Sequence, residues 1–461
     1  MDPTQRLPPE LLLRMFDFFT HGDSPRDFIR GPGRVCARWR RLALAHPSFQ
    51  KDIWLERDLG APGLGLFQAQ LAAGSGADID LTIVHPEEIG PVLPLITENV
   101  HRCASLHIEY YGSPAEVQAL LDALAMQSAP RLKRLHLHVE PVAEDDSDGY
   151  GDSTRGVLSF PSAIFGGVAP HLRRLELCGA ICQMMTPALI PAFRAVDSLE
   201  VRVYDCGPHA VSAALTAAPG TRRLEVLAVK HGSGPWPPVI LPPAVKLDKV
   251  MFSALDAAWD GLLDALDIYD VSEFAVLCGM PARYVSAYIR RSLSDGQPPL
   301  ELSILDSDRL GVAHTDSVLS SSVLGKAVRL VDSLSTAPFA PYATRIGRLE
   351  VLSSEWPGPS VVRLPQLKTL VLHIMADRMR PGCAARCKVY CPKLRDMALL
   401  LGKRAPPEAF RVKADHVAYF VRDRLGLETA ASQVAVSVAR PLILIGRRSW
   451  LQATVGSITE V

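Results

Sequence analysis

A chain of 461 residues is too long for one ordinary hydrophobic core, and calls for several domains or a small domain joined to an extended array. Lysine plus arginine and aspartate plus glutamate each number 49, a balance that argues against bulk attraction to nucleic acid or an anionic membrane. With 48% hydrophobic and 21% charged residues, an ordered body is expected. The opening MDPTQRLPPELLL carries an early acid and paired prolines where a secretory signal has a basic and then an apolar stretch. No run approaches the ~18 apolar residues that span a bilayer. Nine scattered cysteines suit a reducing compartment, so the expected location is cytoplasmic or nuclear.

LPPELLLRMFDFF opens the first predicted helix. Pro8 and Pro9 fall where missing amide hydrogens cost least, and Glu10 sits in the first turn, where the helix dipole favours an acid. Leu11, Leu12, Met15, Phe16 and Phe19 recur at three- and four-residue spacing as a broad apolar face. Gly22 and Pro25 break that helix. After Gly31-Pro32-Gly33, RVCARWRRLA predicts a second helix that Pro47 ends. Val35, Cys36, Trp39, Leu42 and Ala43 share one side of it, beside a stripe of Arg34, Arg38 and Arg41. The arginines lack the aromatic residues and basic surround of a phosphate-binding surface. Cys36 lies on the apolar side, where cysteine acts as a small hydrophobe. Two such short helices carry more apolar surface than they can hide from each other, so it packs on the rest of the chain or on a partner.

LPPELLLRMF followed by VCARWRRLA resembles an F-box, whose pattern is a Leu-Pro pair, Glu, an apolar stripe ending in Ile-Phe, then Val-Cys-x-x-Trp-x-x-Leu-Ala. The match covers a tenth of the chain. The resemblance implies docking on a Skp-family adaptor, and through it on a cullin, within an SCF-type ubiquitin ligase. By the same resemblance Leu7, Pro8, Leu11, Leu12, Phe16, Val35, Cys36, Trp39 and Leu42 form the docking face. Met15 stands where the family usually has isoleucine, and SFQKDIW where Ser-Leu-Trp is common.

After residue 60 a pattern recurs: an apolar residue, two others, an apolar residue, one other, an apolar residue. It appears at Leu132/Leu135/Leu137, Leu172/Leu175/Leu177, Val196/Leu199/Val201, Leu224/Leu227/Val229, Leu247/Val250/Phe252 and Val271/Phe274/Val276. Later copies are Ile346/Leu349/Val351, Leu367/Leu370/Leu372 and Leu394/Met397/Leu399, with a weaker one at Cys103/Leu106/Ile108 and a further strand at Leu300–Leu305. Many separations lie near the ~20–29 residues of leucine-rich repeats. Each unit offers a short strand that cannot bury its inner side alone and does so by stacking on its neighbours. Pro130, Pro170, Pro365 and Pro392 precede strands, while AEVQALLDALAMQ and WDGLLDALDIY predict helices between them.

Fronted by a segment that resembles an F-box, this array resembles fungal F-box proteins with irregular leucine-rich repeats, in which a strand like ADIDLTIV commonly precedes the array. The expected class is α/β. An F-box-like helical module occupies 1–58, and a solenoid with a curved parallel sheet and outer helices occupies 59–404, with an acidic insertion at 140–156. Residues 405–461 form a cap, in which HVAYFVRDRL predicts a helix and QVAVSV an alternating strand.

Cys383, Cys387 and Cys391 lack the matching pair of a structural zinc site and read as free thiols. His136 and His138 alternate with the inward Leu135 and Leu137, so with His107 they form an outward histidine ladder. Such a ladder can bind metal or sense pH. With no carboxylate cluster completing it, it reads as a polar interaction surface. Phosphate-loop, nucleophile-elbow and His-Glu-x-x-His motifs are missing from the sequence. We therefore expect a non-catalytic adaptor without metal or cofactor, with neither nucleic acid nor membrane as partner. Its array would bind an unknown protein substrate through His107, Glu109, His136, His138, Glu176, Glu200, Arg202, Lys230 and Glu350. The alternatives are a repeat scaffold that does not engage the ligase, and an α/β enzyme.

Overall fold

The computed structural model describes residues 7–19, 35–56, 60–73, 76, 78–142, 158–203, 207–228, 245–253, 259–268, 270–276, 282–293, 300–309, 312–321, 326–331, 343–352, 362–374, 389–401, 411–427, 433–440 and 442–460. Gly31-Pro32-Gly33, most of the acidic insertion, Lys230, Cys383 and Cys387 lie outside them. The chain divides into two units, Met1–Leu247 with Ala257–Leu266, and Asp248–Asp256 with Asp267–Val461, so a boundary crosses the array expected over 59–404. The architecture is α/β with mostly parallel sheet. No helix among the described residues is long and apolar enough to cross a membrane.

In the first unit, α1 (Pro9–Phe19), α2 (Ala37–Leu44) and α3 (Pro47–Lys51) lead into β1 (Asp52–Glu56) and α4 (Gly60–Ala73). There follow β2 (Ile79–Val84), α5 (Leu93–Asn99), β3 (Cys103–Gly112), α6 (Pro114–Ala125) and β4 (Arg134–Pro141). Next come β5 (Arg174–Gly179), α7 (Ile181–Met184), β6 (Ser198–Val203), α8 (Pro208–Ala217), β7 (Arg223–Ala228) and, later in the chain, α9 (Asp260–Ala265). Strands β1 to β7 pair in sequence order, all parallel. Their register aligns Ile53, Leu81, Leu106, Leu135, Leu175, Leu199 and Leu224 in one row, and Leu55, Ile83, Ile108, Leu137, Leu177, Val201 and Val226 in a second. Every member of both rows is buried. Helix α6 is started by a reciprocal Ser113–Glu116 capping box and buries Val117, Leu120, Leu121 and Leu124.

The same turn enters four successive strands. The amides of Leu132, Leu172, Val196 and Thr221 donate to the carbonyls of Ala129, Ala169, Phe193 and Ala218 at 3.1–3.2 Å. Pro130, Pro170 and Pro219 hold its second position, for which proline's fixed φ is suited. This turn corrects the frame of one repeat, expected at Leu224/Leu227/Val229. The inward set is Thr221, Leu224 and Val226, because Leu224 lies opposite Leu199 and Val226 opposite Val201, whereas Leu227 faces the other way beside Arg202. Thr221 holds an apolar position at 1% exposure because its hydroxyl donates to the Ala218 carbonyl at 2.7 Å.

In the second unit, β8 (Lys249–Ser253) pairs in parallel with β9 (Glu273–Val276), and α10 (Ala282–Ser292) follows. Leu300–Leu305 does form a strand, within β10 (Leu300–Arg309), but it opens an antiparallel excursion through β11 (Val312–Ser321) and β12 (Lys326–Val331). One parallel strand per repeat therefore does not hold there. Strand β12 joins β9 in parallel, and β10 joins β13 (Ile346–Leu352) in parallel. Two-residue strands β14 (Val362–Arg363), β16 (Val389–Tyr390) and β19 (Leu425–Gly426) make a small parallel sheet, and β18 (Arg411–Lys413) pairs with β21 (Ile443–Ile445). The main ladder runs on in parallel from β13 through β15 (Thr369–Ile374), β17 (Asp396–Leu401), β20 (Ala435–Val438) and β22 (Ser457–Glu460). The stretch expected as a cap thus adds two strands, β20 and β22, to the main ladder, along with α11 (Ala414–Tyr419) and α12 (Arg448–Thr454). HVAYFVRDRL is helical only to Tyr419 and widens into a π turn over Phe420–Arg424.

The register has a direct test. Leu224→Ala opens a cavity in the first apolar row and should cost about 2–5 kcal/mol in urea unfolding. Leu227→Ala, outside both rows, should cost under about 1 kcal/mol.

Candidate functional site

Two surfaces concern function, and the first is the N-terminal helical module. The rings of Phe16 and Trp39 meet edge to face at 5.4 Å and join Leu12, Ala43 and Phe49 in a local core. Leu7, Leu13, Cys36, Leu42 and Leu66 pack around it. The Arg38 guanidinium donates to the Leu7 carbonyl at 2.6 Å, and His46 Nε2 donates to Asp17 at 3.1 Å while its Nδ1 accepts the Ser48 amide that starts α3. Three residues assigned to the docking face, Leu12, Phe16 and Trp39, are therefore inside the module. Leu7, Cys36 and Leu42 are half-buried, and Pro8 is exposed. Among the described residues of the module, the large apolar side chains that face outward are Leu11 (48% exposed), Met15 (40%), Val35 (53%) and Leu44 (39%). Met15 and Leu44 were not assigned to that face from the sequence. Met15 follows Leu11 by one helical turn, and this spacing was its available signal.

The second surface lies on the sheet of the first unit, opposite the two apolar rows. Register aligns Trp54, Thr82, His107, His136, Glu176, Glu200 and Glu225, and beside them Glu56, Val84, Glu109, His138, Cys178, Arg202 and Leu227. The predicted recognition residues from β3 to β6 are thereby brought together. Glu350 is not among them: it belongs to β13 of the second unit, where His373 of β15 donates to it at 2.7 Å.

Most charges on this face are already paired. His107 Nε2 donates to Glu109 Oε1 at 2.9 Å, and His136 Nδ1 donates to Glu176 Oε2 at 2.6 Å. Arg174 spans Glu176 at 2.6 Å and Glu200 at 3.4 Å, and Arg202 donates to Glu200 at 2.8 Å. The His107 and His136 rings stack at 4.0 Å, and His85 stacks on Tyr111 at 4.3 Å. Tyr111 is also hydrogen-bonded to His138 at 3.3 Å. The hydrogen bond from His107, aided by the charges of the nearby histidines, holds Glu109 down at about 2 against the opposing effect of burial. Burial works against ionisation of Glu176 as well, but the His136 hydrogen bond and the Arg174 charge outweigh it and lower its pKa. Cys178 is inert in the same surroundings, because burial pushes its thiol up. Glu200 is itself buried, so it serves Arg174 and Arg202 before any partner.

The carboxylates expected to be missing from the histidine ladder are thus present: Glu109 shares β3 with His107, and register brings Glu176 of β5 beside His136. His136 Nε2 is among the buried polar atoms of the described residues that have no hydrogen-bond partner. Compared with protein-family models and with curated proteins, the chain matches none.

On β13 the His373 hydrogen bond, with Arg348 at 3.5 Å, keeps the Glu350 pKa below the usual carboxylate value despite burial. A depressed folded-state pKa stabilises above the unfolded value of about 4.3, and that contribution is lost as pH falls through the folded value. The stability advantage of the native chain over Glu350→Gln should therefore be full at neutral pH and vanish in strong acid, as read by urea unfolding at a series of pH values.

Proposed function

We propose that this protein is the substrate-recognition adaptor of an SCF-type ubiquitin ligase. In this reading the N-terminal module is an F-box that docks on a Skp-family adaptor, and the strand array is an irregular leucine-rich repeat that binds the protein to be ubiquitinated. The observation that carries it is the module's division of labour. Phe16 and Trp39 join α1 and α2 in a small core that Phe49 of α3 completes and Leu66 of α4 borders, and Leu11, Met15, Val35 and Leu44 are still left facing water. Exposed apolar side chains on a small ordered module are the kind of surface that a partner covers. Support for the repeat reading comes from the recurrent turn and the two in-register apolar rows of β1 to β7.

The mechanism asks no bond chemistry of the chain. Holding substrate and transfer machinery on one body turns an encounter in solution into a local one, with an effective concentration set by geometry. Both signs of charge occur on the face of β3 to β6, so a partner of mixed charge suits it better than a uniformly acidic or basic one.

Co-purification of the full chain with a Skp-family adaptor tests the reading. Leu11→Asp with Met15→Asp should weaken capture by about 2 kcal/mol or more, roughly thirtyfold, with an unchanged thermal midpoint. Phe16→Ala should abolish capture by a different route, loosening the module and exposing it to protease. Undiminished capture by the Leu11/Met15 double variant would exclude this docking face.

A further inference from the structure

The strongest unassigned feature is the leftover nitrogen of His136. Its other ring nitrogen, Nδ1, gives its proton to Glu176, and Arg174 pins the far oxygen of that carboxylate at 2.6 Å. The ring is therefore held in one orientation, with the Nε2 lone pair directed away from Glu176. That nitrogen is buried without a hydrogen-bond partner, and 3.7 Å from it lies Glu109 Oε1, which is also an acceptor. A lone pair and a carboxylate facing each other at this distance call for a cation between them, either a proton or a metal ion.

The surroundings favour a metal. The same Glu109 oxygen is 2.9 Å from His107 Nε2, so three donors from two adjacent strands converge, with their ligand atoms all within 4.8 Å of one another. His107 and Glu109 are two apart on β3 and project to one face, and His136 stands directly opposite His107 on β4. Zinc bonds to nitrogen and oxygen of about 2.0–2.2 Å at tetrahedral angles place ligand atoms about 3.3 Å apart. The two separations from Glu109, 2.9 and 3.7 Å, lie on either side of that value. His107 is partly exposed, so its ring can turn to close the third side, and solvent can fill a fourth position.

We propose that His107, Glu109 and His136 bind a divalent transition-metal ion, zinc foremost, in a site open to solvent at its fourth position, with Glu176 as the residue that positions His136. Two imidazoles and one carboxylate suit a borderline ion such as zinc or cobalt, whereas magnesium and calcium prefer oxygen donors throughout. On binding, His107 Nε2 gives up the proton it now shares with Glu109, and the metal takes that proton's place between them. The ion would tie β3 to β4, with β5 contributing through Glu176. This site stands whether or not the chain is an adaptor.

The test uses the metal-free full-length chain titrated with cobalt chloride and zinc chloride. One equivalent of cobalt should develop the visible absorption of a tetrahedral site, zinc should displace it, and zinc should raise the thermal midpoint. His107→Gln and His136→Gln should each abolish that one-equivalent event, while His138→Gln, on the same face outside the triad, should retain it. Glu176→Gln should weaken zinc binding about 10–100-fold without changing the stoichiometry, as loss of an outer carboxylate does. Metal-free thermal midpoints serve as the folding control. If His136→Gln lowers the midpoint, the partly exposed His107→Gln and Glu109→Gln decide. Absence of saturable cobalt or zinc binding would overturn the proposal and leave a proton as the cation between His136 and Glu109. Binding of equal stoichiometry and affinity in His107→Gln and Glu109→Gln would overturn it too, by placing the metal elsewhere on the chain.

Discussion

The first unit depends on one constraint: a short strand cannot bury its inner side alone. Each of β1 to β7 contributes two inward apolar residues, and these become core only when the strands stack in register with the same residues of their neighbours. A slip by one residue would turn the whole inner set to water and bring the polar set into the core. The repeated turn before β4 to β7 guards against that slip. It fixes where each strand begins relative to the one before, and Pro130, Pro170 and Pro219 make it the preferred local conformation. At Gly220 an added Cβ would come within 2.9 Å of the Arg194 carbonyl, so the turn before β7 also packs closely against the turn before β6.

The polar face inherits its order from that core. Parallel in-register pairing places like beside like, which sets His107 against His136 and lines up Glu176, Glu200 and Glu225. Neighbouring carboxylates would repel, and the arginines at the next positions offset this, with Arg174 reaching two of the glutamates and Arg202 a third contact. The limited exposure of Glu200 and Arg202 makes their contact worth more than the same pair on an open surface, whereas the half-exposed Arg174 is screened by solvent. Where the pattern changes from histidine to glutamate, between β4 and β5, the pairing is complete on one side of His136 and incomplete on the other.

The helical module obeys a different economy. Its described buried set is small, and the edge-to-face contact of Phe16 with Trp39 joins α1 to α2 within it. A module of this size cannot cover all of its apolar side chains. Those that remain outward are the ones whose role we assign to a partner.

Sequence by itself determined the rows, the turns and the two amphipathic helices, because burial on one side of a strand or helix imprints a period that is local in the chain. Leu135 with Leu137, and Leu175 with Leu177, could be read in that way. So could Pro130 and Pro170. Tertiary structure alone decided what rests on neighbours distant in sequence. It chose Val226 over Leu227 for the inner side, since an apolar run fits either frame until Val201 is set beside it. It folded β10 to β12 back on themselves, and it divided one apolar helix face into buried Phe16 and exposed Leu11. It also brought Glu109 and Glu176 to His136 from two other strands, an encounter written in register and in no single stretch of chain.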